Sequence, residues 1–227
     1  MEQTKVLVVG GSSGIGLAVA NLAQQKGAHV IVASRRASER VKSLAQPLNS
    51  LEAVAFDITS ATDHEPMFET IGTIDHLIIA VRPELHPASF QSSDIDEAKR
   101  AFETKFWGPY RLVQAAHRHM NETGSVTLTS GIAGEKVYSG ASTMALINSA
   151  TESLCRVLAV ELAPLRVNCV SPGFVEPKPP SVQEYSRRFP MKRLATMDEI
   201  ASAYLWLMVN TYVTGNVMVV DGGARLI

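Results

Sequence analysis

The feature that most restricts this chain is a glycine loop, Gly10-Gly11-Ser12-Ser13-Gly14-Ile15-Gly16. It lies between a short apolar run, Lys5 to Val9, and a stretch of helical spacing, Ile15 to Lys26, closed by Gly27. A strand that feeds a helix through a tight turn is the first half of a βαβ unit, and a parallel strand should follow. Glycines in such a loop let the backbone approach a pyrophosphate. The first turn of the helix adds unpaired N–H groups and positive potential.

The rhythm continues along the chain. His29 to Ala33, Leu51 to Phe56, Asp75 to Val81, Ser125 to Thr129, Arg166 to Val170 and Asn216 to Val220 read as strands. Val41 to Leu44, His64 to Thr70, Asp94 to Met120, Ser142 to Leu162 and Asp198 to Val209 read as helices. Alternation of this kind predicts one α/β domain spanning residues 1–227. It implies a doubly wound parallel sheet of about seven strands, with helices on both faces and ligands in the crevice beyond the strand carboxyl ends. Prolines 172, 177, 179, 180 and 190, with Pro164 just upstream, make Ser171 to Pro190 an irregular segment. A mobile lid over about residues 171–195 is expected there.

Lys plus Arg is 21 and Asp plus Glu is 22, a net charge of −1, so no sequence-wide field draws the chain to nucleic acid or an anionic membrane. At 46% apolar and 19% charged, it has ample core material and too little charge for a disordered protein. The apolar residues Val6 to Val9 are too few for a signal segment, and charges such as Arg156 and Glu161 interrupt the longest apolar helix. A soluble, cytoplasmic protein with no membrane partner is expected. Cys155 and Cys169 sit in apolar stretches outside any CxxC pattern and read as buried thiols of a reducing compartment. His117 and His119 are two apart on a helix and point to different sides, so no metal site is expected.

The loop spacing G-x3-G-x-G, Asp57 after the third strand, Ser130 after the fifth, Ser171-Pro172-Gly173 after the sixth and the closing Asp221-Gly222-Gly223 together resemble the short-chain dehydrogenase/reductase family over the whole chain. The resemblance implies a Rossmann-like fold and a dinucleotide cofactor. It places Gly10, Ser12, Ser13, Gly14, Ile15 and Gly16 at the diphosphate, Asp57 and Ile58 at the adenine, and Ala80, Val81, Asn148, Pro172, Gly173 and Val175 along the remaining cofactor. A turn or helix-cap role for Asp57 is the competing reading. The second strand ends Ser34-Arg35-Arg36, where an acid would select NAD. A guanidinium that grips a 2′-phosphate points instead to NADP(H), a solvated basic helix start being the plainer alternative.

Elsewhere the family pattern breaks. Where Asn-Asn-Ala-Gly is usual, Ile79-Ala80-Val81-Arg82 stands, and Lys105 replaces the catalytic asparagine, as in a divergent branch that carries lysine there. The Tyr-x3-Lys pair is missing. Anchoring on Leu158 to Pro164 puts Met144 at tyrosine and Asn148 at lysine, and a shift of one turn puts Gly140 and Met144 there. Ser130 survives as the residue that bonds a substrate carbonyl, with Lys105 as acid or charge stabiliser and Lys136 and Tyr138 as second choices. Lys105 as a space-filling or carboxylate-paired lysine is the alternative. The expectation is an NADPH-dependent oxidoreductase acting on a carbonyl or hydroxyl compound, with unusual proton delivery, assembled as a homodimer or homotetramer through its two long helices. Two other functions remain open: a catalytically silent NADPH-binding scaffold or sensor, and a non-redox enzyme such as an isomerase or cyclase.

Overall fold

The computed structural model describes residues 1–39 and 51–227. The helical stretch expected at Val41 to Leu44 lies outside them. Strand β1 (Lys5–Val9) opens the chain, and the glycine loop leads to helix α1 (Gly14–Gln25). Then come β2 (His29–Ser34), β3 (Leu51–Ala55), α2 (His64–Ile71) and β4 (Ile74–Ile79). The second half runs through α3 (Ile95–Phe102), α4 (Gly108–Ala116), β5 (Met120–Thr129) and α5 (Ser142–Glu161). It ends with β6 (Arg166–Pro172), α6 (Pro180–Ser186), α7 (Met197–Val209) and β7 (Val217–Val220).

The seven strands form one sheet in the order β3-β2-β1-β4-β5-β6-β7, every pairing parallel. Alternate side chains divide between two cores. Leu7, Val9, Ile31, Leu77 and Ile79 join Phe68, Leu112 and Leu154 on the face covered by α2, α4 and α5. Val6, Val8, Val30, Val32 and Ile78 meet Val19, Ala23, Ile200 and Tyr204 of α1 and α7 on the other. Burial on both faces is why these strands are continuously apolar, and each such side chain contributes about 1.5–3 kcal/mol. Strand order reverses between β1 and β4. The crevice therefore opens beyond the carboxyl ends of those strands, at the glycine loop.

Two expectations change in detail. The single helix expected from Asp94 to Met120 is broken by a π-helical turn, Glu103–Trp107, in which the Gly108 N–H bonds the Glu103 carbonyl five residues back. Pro109 has no N–H to return to the Lys105 carbonyl, so a regular α ladder cannot be completed there. Gly108 is also required. A Cβ at that position would lie 2.8 Å from the Ile58 carbonyl oxygen, so glycine lets the helix rest on the loop after β3. The proline-rich segment is likewise not wholly irregular. It holds the short α6, opened by Pro180 at its first turn, and Val175 bridges Ala195. Among the described residues, no helix is long and apolar enough to cross a membrane.

Candidate active site

The glycine loop holds its shape by backbone contact. Gly10 has φ of +83°, and a Cβ there would meet the Ala80 carbonyl oxygen at 2.6 Å, while a Cβ at Gly16 would meet the Gly10 oxygen at 2.4 Å. Gly14, at φ of +54°, is open by comparison, its nearest neighbour being Met197 Cε at 4.0 Å. Ser13 makes no side-chain cap bond to α1. The helix's first-turn N–H groups therefore face an open approach, which suits a phosphate. Ser34 Oγ donates to Ser12 Oγ at 2.9 Å and ties the loop to the end of β2. Just beyond, Arg36 is exposed, and the guanidinium of Arg35 stands 3.8 Å from the Glu84 carboxylate, both largely in solvent.

Asp57 Oδ1 accepts from the Thr59 N–H at 3.0 Å and its hydroxyl at 2.8 Å, forming a turn, with Ile58 buried beside it. The Ala80 N–H bonds the Val9 carbonyl at 2.9 Å, which places Ala80 and Val81 at the crevice edge of β4. Across the sheet, Gly173 bonds the Val220 carbonyl at 2.9 Å. A Cβ on Gly173 would lie 2.8 Å from Asp221 Cα. Pro172 ends β6, and Val175 is buried. The residues expected to hold a dinucleotide thus lie along the carboxyl edge of the sheet.

The π-helical turn carries Lys105 into the protein, where it is only 7% exposed. Its Nζ donates to the Ser130 carbonyl oxygen at 2.9 Å and to Asn148 Oδ1 at 2.8 Å. Both acceptors are neutral; no carboxylate pairs with it among the described residues. Burial lowers this lysine from 10.5 to about 8, and the Arg82 cation adds to the shift. Two of its three N–H donors are engaged, which leaves one for a third partner.

Ser130 presents two different groups to its two neighbours. Its hydroxyl donates to Glu152 Oε1 at 2.9 Å, so its carbonyl, not its hydroxyl, meets Lys105. Glu152 was missed by sequence reading, although it lies four residues from Asn148 on one helix face, a spacing that joins neighbours. Tyr138 packs edge-on against Phe174 with centroids 5.8 Å apart. Its hydroxyl has no partner among the described residues, and burial raises its pKa. Lys136 Nζ donates to the Ala224 carbonyl at 3.0 Å, away from Lys105. Burial also pushes Cys155 up to about 12 and Cys169 to about 11, so both stay thiols. Among the described residues no cluster of His, Cys, Asp and Glu could hold a metal ion.

Comparison with known proteins agrees with this geometry. The family model described as Enoyl-(Acyl carrier protein) reductase matches residues 9–225. The human 3-oxoacyl-[acyl-carrier-protein] reductase is 31% identical, over 97% of each chain. The short-chain dehydrogenase/reductase ATR9 of Stachybotrys chlorohalonatus is also 31% identical, over 97% of this chain and 96% of its own. Among solved structures, a small-chain dehydrogenase in complex with NADPH is 33% identical with a TM-score of 0.88, each chain covered in full. With a seven-stranded parallel sheet, a glycine loop at its switch point and full-length relatives of this kind, the chain belongs to the short-chain dehydrogenase/reductase family.

Proposed function

We propose that this protein is an NADPH-dependent oxidoreductase that interconverts a carbonyl group and an alcohol on a small molecule, with Lys105 as proton donor. The observation that carries the reading is the buried ammonium of Lys105, held by two neutral oxygens at the carboxyl end of β5. When bound, NADPH supplies the hydride. The first-turn N–H groups of α1 would hold its diphosphate, Arg35 its 2′-phosphate, and Asp57 with Ile58 its adenine. The NADPH complex of the 33% identical relative and the lack of an acid after Ser34 support this cofactor.

In this reading the family's tyrosine and lysine positions are taken by Met144 and Asn148, and the asparagine position by Lys105. The cation has moved to the opposite helix. As negative charge develops on the substrate oxygen, the Lys105 ammonium stabilises it and gives up a proton. The oxygen becomes a hydroxyl, and the neutral amine takes its proton back from water. Ser130 contributes its backbone carbonyl, which holds the ammonium. Exposed Trp107, Tyr110, Leu146, Val157 and Val160 on the π turn, α4 and α5 support assembly into a homodimer or homotetramer.

A screen of NADPH oxidation against aldehydes, ketones and quinones tests the reading, with Lys105→Met as the control that should be inactive. The commitment of the Ser130 hydroxyl to Glu152 favours a second reading, an NADPH-binding protein without turnover. Tight NADPH binding with no substrate reduced would select it.

A further inference from the structure

Lys105 and Asn148 come from different helical segments, yet both are buried, at 7% and 1% exposure, and their polar atoms are 2.8 Å apart. The ammonium can only donate, so the asparagine must present its oxygen, and its NH2 group then faces the other way. Two glycines make room for that orientation. A Cβ on Gly131 would lie 3.1 Å from Asn148 Nδ2, and one on Gly134 would lie 3.0 Å from Asn148 Cβ. Gly131 has φ of 165°, an extended conformation open to any residue, so space, not backbone freedom, accounts for a glycine there. The amide oxygen is held by the lysine, and the missing side chain of Gly131 leaves space for the NH2 group.

We infer that Asn148 is a positioning residue that fixes the Lys105 ammonium at the crevice and, because its oxygen carries no net charge, leaves the lysine proton easier to release than a carboxylate would. The inference deepens the proposed function and rests on it only for its consequence in turnover. The charged and titratable groups around the lysine are few. Cys169 on β6 and Arg82 beyond β4 are its titratable neighbours, and Glu152 of α5 bonds the Ser130 hydroxyl. Cys169 is a protonated thiol and Arg82 a cation, so no anion among the direct neighbours holds the proton on Lys105.

Two changes at position 148, one isosteric and one a truncation, push the lysine in opposite directions. Asn148→Asp places a carboxylate against the ammonium and should raise the Lys105 titration by more than one pH unit. Asn148→Ala removes the acceptor and should lower it by about half a unit. The measurement is the pH titration of 13Cε-labelled lysines by NMR on the cofactor-free protein, the Lys105 signal being the one lost in Lys105→Met. Both shifts, with their opposite signs, support the inference; an unchanged titration in either folded variant overturns it. The pH dependence of kcat in Asn148→Asp provides a separate readout. A profile that moves upward with the NMR titration supports both ideas. A profile that stays fixed while the NMR titration moves leaves Asn148 in its role and removes Lys105 as the proton donor.

Discussion

Gly16 lies so close to Gly10 that a Cβ on the first would stand 2.4 Å from the carbonyl oxygen of the second. Gly16→Ala must therefore move backbone, at a cost of about 2–3 kcal/mol, the upper part of the overpacking range. Gly14→Ala meets open space and pays mainly for its left-handed φ of +54°, about 1 kcal/mol. Thermal unfolding should drop by several degrees more in Gly16→Ala than in Gly14→Ala. NADPH titration should show the reverse emphasis, with Gly14→Ala losing affinity while it remains folded.

Arg35 and Glu84 stand 3.8 Å apart on the surface, with both side chains largely in solvent. Such a pair contributes little, so the guanidinium is easily drawn to a ligand phosphate. NADPH should bind at least about tenfold more tightly than NADH, and Arg35→Asp should weaken NADPH far more than NADH. Calorimetric titration with both nucleotides decides the matter; equal dissociation constants in the unmodified protein would refute the assignment.

At the other end of the sheet, the His76 ring is buried and its Nδ1 lies 2.8 Å from Ser125 Oγ. Burial, with help from Arg166, lowers this histidine from 6.5 to about 4. The unfolded chain therefore binds a proton that the folded chain refuses. The stabilisation is complete above pH 6.5 and is lost as the pH falls toward 4, by about 3 kcal/mol in total. Urea unfolding between those limits should show a steeper pH slope in the unmodified protein than in His76→Gln. Parallel slopes would contradict the argument.

The parts of this architecture legible in sequence were those fixed by local chemistry. The glycine loop and the β-branched strands are short-range patterns. The turn that delivers Lys105 was not legible, because periodicity over Asp94 to Met120 fits one helix. The break follows from Pro109 and from the contact of Gly108 with Ile58, fifty residues earlier in the chain. Lys105 was identifiable as a residue but not by its partners. The bonds to Asn148 and Ser130 cross between elements, and only the fold brings them together.

Association is expected through the apolar surface of α4 and α5. Leu146, Val157 and Val160 are exposed on α5, and Tyr110 on α4. Light scattering at micromolar concentration should give at least twice the 24.5 kDa chain mass. Val160→Glu, which adds charge at a site already in solvent, should shift the mass downward without lowering the helix content measured by circular dichroism. A monomeric mass for the unmodified protein would remove the assembly from the proposed function.

The most exposed prediction concerns the chemistry. Lys105→Met keeps the length of the stem and deletes the charge, leaving the Ser130 carbonyl and Asn148 Oδ1 without their donor. Turnover should fall at least about a hundredfold, the low end for general acid catalysis, while NADPH affinity stays within a few-fold. Ser130→Ala retains the carbonyl that holds the lysine and loses only the bond to Glu152, so its loss should be less than about tenfold. Tyr138→Phe removes a hydroxyl that has no partner among the described residues and should cost least of the three. All three variants are compared on one substrate, with cofactor binding and unfolding measured separately so that lost folding is not read as lost chemistry. A fully active Lys105→Met protein would take the proton away from lysine. An inactive Tyr138→Phe with normal NADPH binding would give it to the phenol instead, and would require the loop after β5 to carry Tyr138 to the crevice during turnover.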